Sequence, residues 1–109
     1  PDLPEKGMVN LFFFFSSAGL TLNENADPSV RDDFEIIFNK LVQENDPDYT
    51  HTLEGSDDMP AHAKSSMLGA SLTIPVSKHQ LALGMWQGIY LCEFRNYGGP
   101  RRLLVTIYS

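Results

Sequence analysis

Twelve consecutive residues, His51-Thr-Leu-Glu-Gly-Ser-Asp-Asp-Met-Pro-Ala-His62, hold two histidines, one glutamate and two adjacent aspartates. The imidazoles of His51 and His62 suit zinc or another transition ion, and the carboxylates of Asp57 and Asp58 suit Mg²⁺ or Ca²⁺. The same residues can do acid/base work, with Glu54 and His62 in reach of a proton. The competing reading is a solvated acidic loop that leads into a helix N-cap. One of Asp57 and Asp58 is expected to cap in either case.

If a helix starts at Asp58, then His62, Lys64, Ser65 and Ser66 lie in its first turns. Backbone N–H groups there have no intrahelical partner, and the helix dipole favours an anion. A phosphate or sulfate is expected beside these residues, either bridged to the two aspartates by a divalent metal or held on the far side of the helix start.

A second polar cluster, Asn23-Glu-Asn-Ala-Asp27, ends an apolar run. A turn followed by an N-cap accounts for most of it and leaves Glu24 unexplained. Gln87 can point its amide at a ligand. Glu93 and Arg95, two apart on a strand, share a face that either carries an ion pair or borders a pocket. His79 falls in a turn and is expected to be exposed. Cys92 and Trp86 read as core.

The elements that must position these groups follow from periodicity. Met8 to Phe15 reads as a strand buried on both faces, since it has no alternation. Leu20 to Asn23 reads as a second short strand. Asp27-Pro28 opens a helix, with Pro28 at the first helical position. Val30, Phe34, Ile37, Phe38, Leu41 and Val42 give that helix an apolar face. A second helix runs from Asp57 or Asp58 to a stop at Gly69. Strands are expected at Ser71 to Val76, Gln80 to Phe94 with a break near Gly84 or Gly88, and Arg101 to Tyr108. The result is an α+β domain with mainly antiparallel sheet and two helices.

The 109 residues suit one domain, 1–109. The net charge of −6 argues against nonspecific nucleic-acid binding. A single cysteine allows no internal disulfide, so a reducing, cytoplasmic setting is expected. No apolar run approaches the ~20 residues that span a bilayer, so no membrane partner is expected.

Four segments together resemble the YjbQ-like family. They are Leu20-Thr-Leu-Asn-Glu-Asn-Ala-Asp-Pro28, the His51 to His62 run, Gly69-Ala-Ser-Leu-Thr-Ile-Pro75 and Leu83-Gly-Met-Trp-Gln-Gly-Ile-Tyr90. The resemblance implies a compact α+β homotrimer. It also implies a weak thiamine-phosphate synthase, joining a hydroxymethylpyrimidine diphosphate to a thiazole phosphate. On that reading Glu24, Glu54 and His62 are catalytic. Asn23, Asn25, Lys64, Ser65, Ser66, Gln87 and Arg95 bind ligand. His51, Asp57, Asp58 and His62 hold a divalent metal, Mg²⁺ or Zn²⁺. The alternative is a non-catalytic trimer that binds metal or anion. Family members usually carry a histidine where this chain has Phe15, so a three-histidine metal site cannot form here in the same way. They also carry a further strand and helix ahead of the segment that begins at Pro1, and this domain is expected to lack them.

Overall fold

A computed structural model describes residues 2–109. Its elements are β1 (Lys6–Phe13), β2 (Ala18–Glu24), α1 (Pro28–Leu41), α2 (Asp58–Leu68), β3 (Ser71–Ser77), β4 (Gln80–Leu81), β5 (Gln87–Glu93) and β6 (Leu103–Tyr108). A four-stranded sheet has the order β4-β3-β1-β6, and β2 pairs with β5 in a second sheet. Every pairing is antiparallel. The expected α+β architecture is therefore present.

Strand β1 lies between β3 and β6 and sets the core. Val9 stands opposite Ile74 and Ile107, and Leu11 opposite Leu72 and Val105. Val9, Leu11 and Phe13 are buried together with Ala18, Leu20 and Val76. The other face of β1 is open: Met8 is 47% and Phe12 40% exposed. The expectation of a strand buried on both faces is thus corrected. The aromatic run hid the period of two, because it placed large apolar side chains on the solvent face as well.

The break expected near Gly84 in the Gln80 to Phe94 region is present, and residues 82–86 separate β4 from β5. Trp86 falls in that break and is 61% exposed, which corrects its placement in the core. Strand β1 ends at Phe13 rather than Phe15, because Phe14 and Phe15 enter the turn to β2.

The N-cap of α1 is Asp27, whose carboxylate accepts from Ser29 N at 2.9 Å, with Pro28 opening the helix as expected. The helix buries none of its residues fully. It is held to the second sheet by ring contacts, Phe34 on Tyr90 and Phe38 on Phe94. Helix α2 packs closely on β2, where a Cβ at Gly19 would come within 2.9 Å of Leu68 Cβ. It stops at Gly69, whose φ of 99° suits glycine.

The chain exposes more surface than a monomer of its mass should. Its accessible area is 7499 Å², where the scaling for folded monomers gives about 6,100 Å². The radius of gyration is 16.0 Å, against about 13 Å for a compact domain of this length.

Candidate functional site

Asp58 opens α2 and is only 2% exposed. Its two oxygens face different partners. Oδ2 lies 2.7 Å from His51 Nε2 and 3.1 Å from His62 Nε2. Oδ1 accepts from Arg95 Nη1 at 2.7 Å. His51 comes from the loop before α2. His62 stands four residues after Asp58, so one helical turn brings the two together. Burial works against the charge of Asp58. The hydrogen bond from His51 and the charges of His62 and Arg95 outweigh it and hold the carboxyl below its ordinary value.

The ring of His62 is oriented by the backbone. Its Nδ1 lies 2.9 Å from the carbonyl of Ser16. A carbonyl only accepts, so Nδ1 carries a proton and Nε2 is the atom turned to Asp58. In the neutral ring, Nε2 then presents a lone pair to a carboxylate oxygen. Two acceptors at 3.1 Å need a cation between or beside them, either a proton or a metal ion. Carbonyl-oriented histidine with Nε2 presented outward is the usual form of a metal ligand. One ligand atom from each of His51, Asp58 and His62 lies within 4.8 Å of the others. Two imidazoles and one carboxylate make the donor set of open zinc and non-haem iron sites.

Asp57 takes a separate course. Its Oδ2 accepts from Arg95 Nε at 3.0 Å and from Asn96 N at 2.8 Å. Those contacts, the Asn96 N–H first and Arg95 next, hold its carboxyl low. Asp57 occupies the N-cap position of α2 without a side-chain capping bond. The expected capping by an aspartate is therefore corrected: Arg95 and Asn96 take the Asp57 oxygen, and Asp58 is drawn to the histidines. With Asp57 turned away, the cluster offers a single carboxylate. That fits Zn²⁺ and its neighbours better than Mg²⁺, which asks for oxygen ligands.

The remaining candidates are dispersed. The side chain of Glu54 is exposed, and its carbonyl accepts from Arg95 Nη2 at 2.9 Å. Ser65 donates to Ala18 O at 2.7 Å, and Ser66 to His62 O at 3.1 Å, so both hydroxyls serve local backbone. Lys64 is 4% exposed and donates to Asn39 Oδ1 at 2.8 Å. Asn23 accepts from Glu24 N, Asn25 from Arg31, and Gln87 Oε1 from Gly84 N. The carbonyl of Glu24 accepts from the Tyr90 hydroxyl. His79 is exposed as expected, with Nδ1 against Leu3 O at 2.9 Å. Glu93 pairs with Arg101 rather than with Arg95, its sequence neighbour. Arg101 also bonds Ser17 Oγ at 2.9 Å and sits over the rings of Phe13 and Phe15.

Sequence reasoning missed three participants. Ser16 acts through its carbonyl and Asn96 through its N–H, and a backbone group leaves no mark in residue type. Asn39 lies 25 positions from the lysine it receives.

The family described as "UPF0047 protein YjbQ-like" matches residues 2–109. The chain belongs to the YjbQ-like family. It is 52% identical to the UPF0047 protein YjbQ of Salmonella typhimurium, over 94% of this chain and 74% of that protein. It is 44% identical to the UPF0047 protein YugU of Bacillus subtilis, over 87% of this chain and 67% of that protein. Two solved family structures share the fold. A protein of Clostridium acetobutylicum superposes with a TM-score of 0.85 at 39% identity, covering 95% of this chain and 77% of that one. A protein of Sulfolobus solfataricus, described as of unknown function, gives 0.86 at 25% identity, covering 96% and 74%. The antiparallel sheets and two helices are thus a family property. Among the described residues, no helix is long and apolar enough to cross a membrane.

Proposed function

We propose that this YjbQ-like chain binds a divalent transition metal at His51, Asp58 and His62. The observation that carries the reading is the hydrogen bond from His62 Nδ1 to the Ser16 carbonyl, which leaves Nε2 facing Asp58. Such an ion supplies Lewis acidity and open coordination positions that a phosphate oxygen can occupy. The chain's residues do the positioning. Ser16 fixes one imidazole. Arg95 fixes the far oxygen of Asp58 and neutralises Asp57. Burial of Asp58 keeps water from competing for its carboxylate. The assembly is a homotrimer on the same reading, and the open apolar face of β1 together with the excess surface supports self-association.

The transferase activity implied by family resemblance adds a diphosphate to this centre. It needs positive groups free to face a leaving pyrophosphate. The Arg95 guanidinium already serves Asp57, Asp58 and the Glu54 carbonyl. Lys64 is buried against Asn39. The chain's own residues therefore favour metal binding over pyrophosphate release. Cobalt substitution tests the reading. Co²⁺ bound by wild type should give ligand-field absorption that is lost in Asp58→Asn, and an unchanged spectrum in that variant refutes the assignment. Incubation of the metal-loaded protein with a hydroxymethylpyrimidine diphosphate and a thiazole phosphate separates binding from turnover.

A further inference from the structure

A cavity of about 770 Å³ lies between α1 and the second sheet. None of His51, Asp58 or His62 lines it, and Arg95 borders both places. Four rings line it among polar side chains: Phe34 and Phe38 from α1, Tyr90 from β5, and Phe94 just after it. All four rings are half-buried.

The buried residue among those lining this cavity is Lys64, 4% exposed. Its Nζ is 5.7 Å from the centre of the Phe94 ring, and among the described residues it has one acceptor, Asn39 Oδ1. An ammonium carries three N–H donors, so two meet no acceptor among the described residues. The same hydrogen bond orients the Asn39 amide, whose own N–H groups meet no acceptor among the described residues. Glu35 and Glu44 also line the cavity, but both are exposed and neither bonds Lys64. A buried ammonium without a full set of acceptors is costly. Burial pulls Lys64 below the usual lysine range, with Glu44 and Glu35 opposing.

We propose that this cavity is a second binding site, for a small aromatic carboxylate whose anion meets Lys64 and the Asn39 amide while its ring lies among Phe34, Phe38 and Phe94. The volume suits such a ligand, since pockets of about 300–1,000 Å³ hold drug-sized molecules. Charge and ring are both required: the rings alone would accept any apolar molecule, and Lys64 selects the anion. The carboxylate supplies acceptors to the Lys64 donors that no described residue takes.

Calorimetric titration of the full chain with 4-hydroxybenzoate tests this, with benzylamine as the charge-reversed probe. Binding of the acid and at least a tenfold weaker response to the amine are expected. Lys64→Met should lose the acid at least tenfold. Because that variant changes a buried position, Asn39→Ala on exposed α1 serves as a second test and should weaken binding severalfold with the fold intact by circular dichroism. His51→Ala, and removal of metal by chelator, should leave acid binding unchanged, so this site and the metal reading can fail separately. Equal binding of acid and amine, no acid binding at millimolar concentration, retention in both Lys64→Met and Asn39→Ala, or loss on chelation would each overturn the proposal.

Discussion

Replacing Asp58 by alanine removes the one side chain that ties His51, His62 and Arg95 together. Deleting one partner of a buried ion pair costs about 3–5 kcal/mol. Arg95 keeps Asp57 and the Glu54 carbonyl after the change, and both histidines are partly exposed, so the loss belongs at the lower end. About 3 kcal/mol corresponds to a fall in Tm of roughly 12–24 °C in a domain of this size. Asp58→Asn keeps an oxygen for Arg95 and should lose only about 1–2 kcal/mol. The two variants should nevertheless agree on metal. Free metal at about 100 times its Kd raises wild-type stability by about 2.7 kcal/mol, and neither variant should respond. Urea denaturation with and without Zn²⁺, against a chelator control, reads both quantities. Full retention of the zinc response in Asp58→Asn would refute the assignment of this carboxylate as a ligand. A loss under about 1 kcal/mol in Asp58→Ala would refute the energetic argument.

Other expectations follow from the same contacts. Asp57, Asp58 and Glu93 are all held below their ordinary values. Their contribution is therefore present at neutral pH and is lost as pH falls below about 4 toward the depressed values. Asp57→Asn should flatten the acid limb of a stability–pH curve measured by urea midpoint. Arg101→Lys should cost about 1–2 kcal/mol, because a lysine cannot hold both Glu93 oxygens and Ser17 while covering Phe13 and Phe15; double-mutant cycles with Glu93→Gln check it. Gly7→Ala should cost about 1–3 kcal/mol or more, since the added carbon would meet the carbonyl oxygen of Tyr108, backbone that cannot swing aside; thermal melts read the loss. Sedimentation should give a trimer for wild type, and Phe12→Glu, on the open face of β1, should shift it to smaller species.

Where the sequence is informative, the signal is local. Asp27-Pro28 marks the start of α1 because a cap and a preset φ act within one turn. His51 and His62 meet because Asp58 stands seven residues from one and one helical turn from the other. The apolar spacing of α1 predicts one buried face, yet Ile37 and Leu41 are 47% and 62% exposed, and the ring contacts to β5 and Phe94 come from Phe34 and Phe38. Nothing in the spacing of Asp57 and Asp58 tells them apart. The choice is made by Arg95, 37 and 38 positions away, which takes Asp57 and one oxygen of Asp58. Similarly, Lys64 falls in the turn where an anion site was expected, but its long stem carries the ammonium to Asn39 on the other helix. Partners at that separation are set by the fold, so no local pattern announces them.

The attachment of α1 has a consequence for the order in which the molecule opens. A helix that buries no residue fully, and is held by two ring edges and the Lys64–Asn39 hydrogen bond, forfeits little when it lifts away. Its amides should therefore exchange with solvent through a local opening whose free energy is well below that of global unfolding, while those of β1, paired on both sides, should exchange only when everything opens. The wall formed by Phe34 and Phe38 then opens below the global limit, and residues 28–41 should take up deuterium long before residues 6–13.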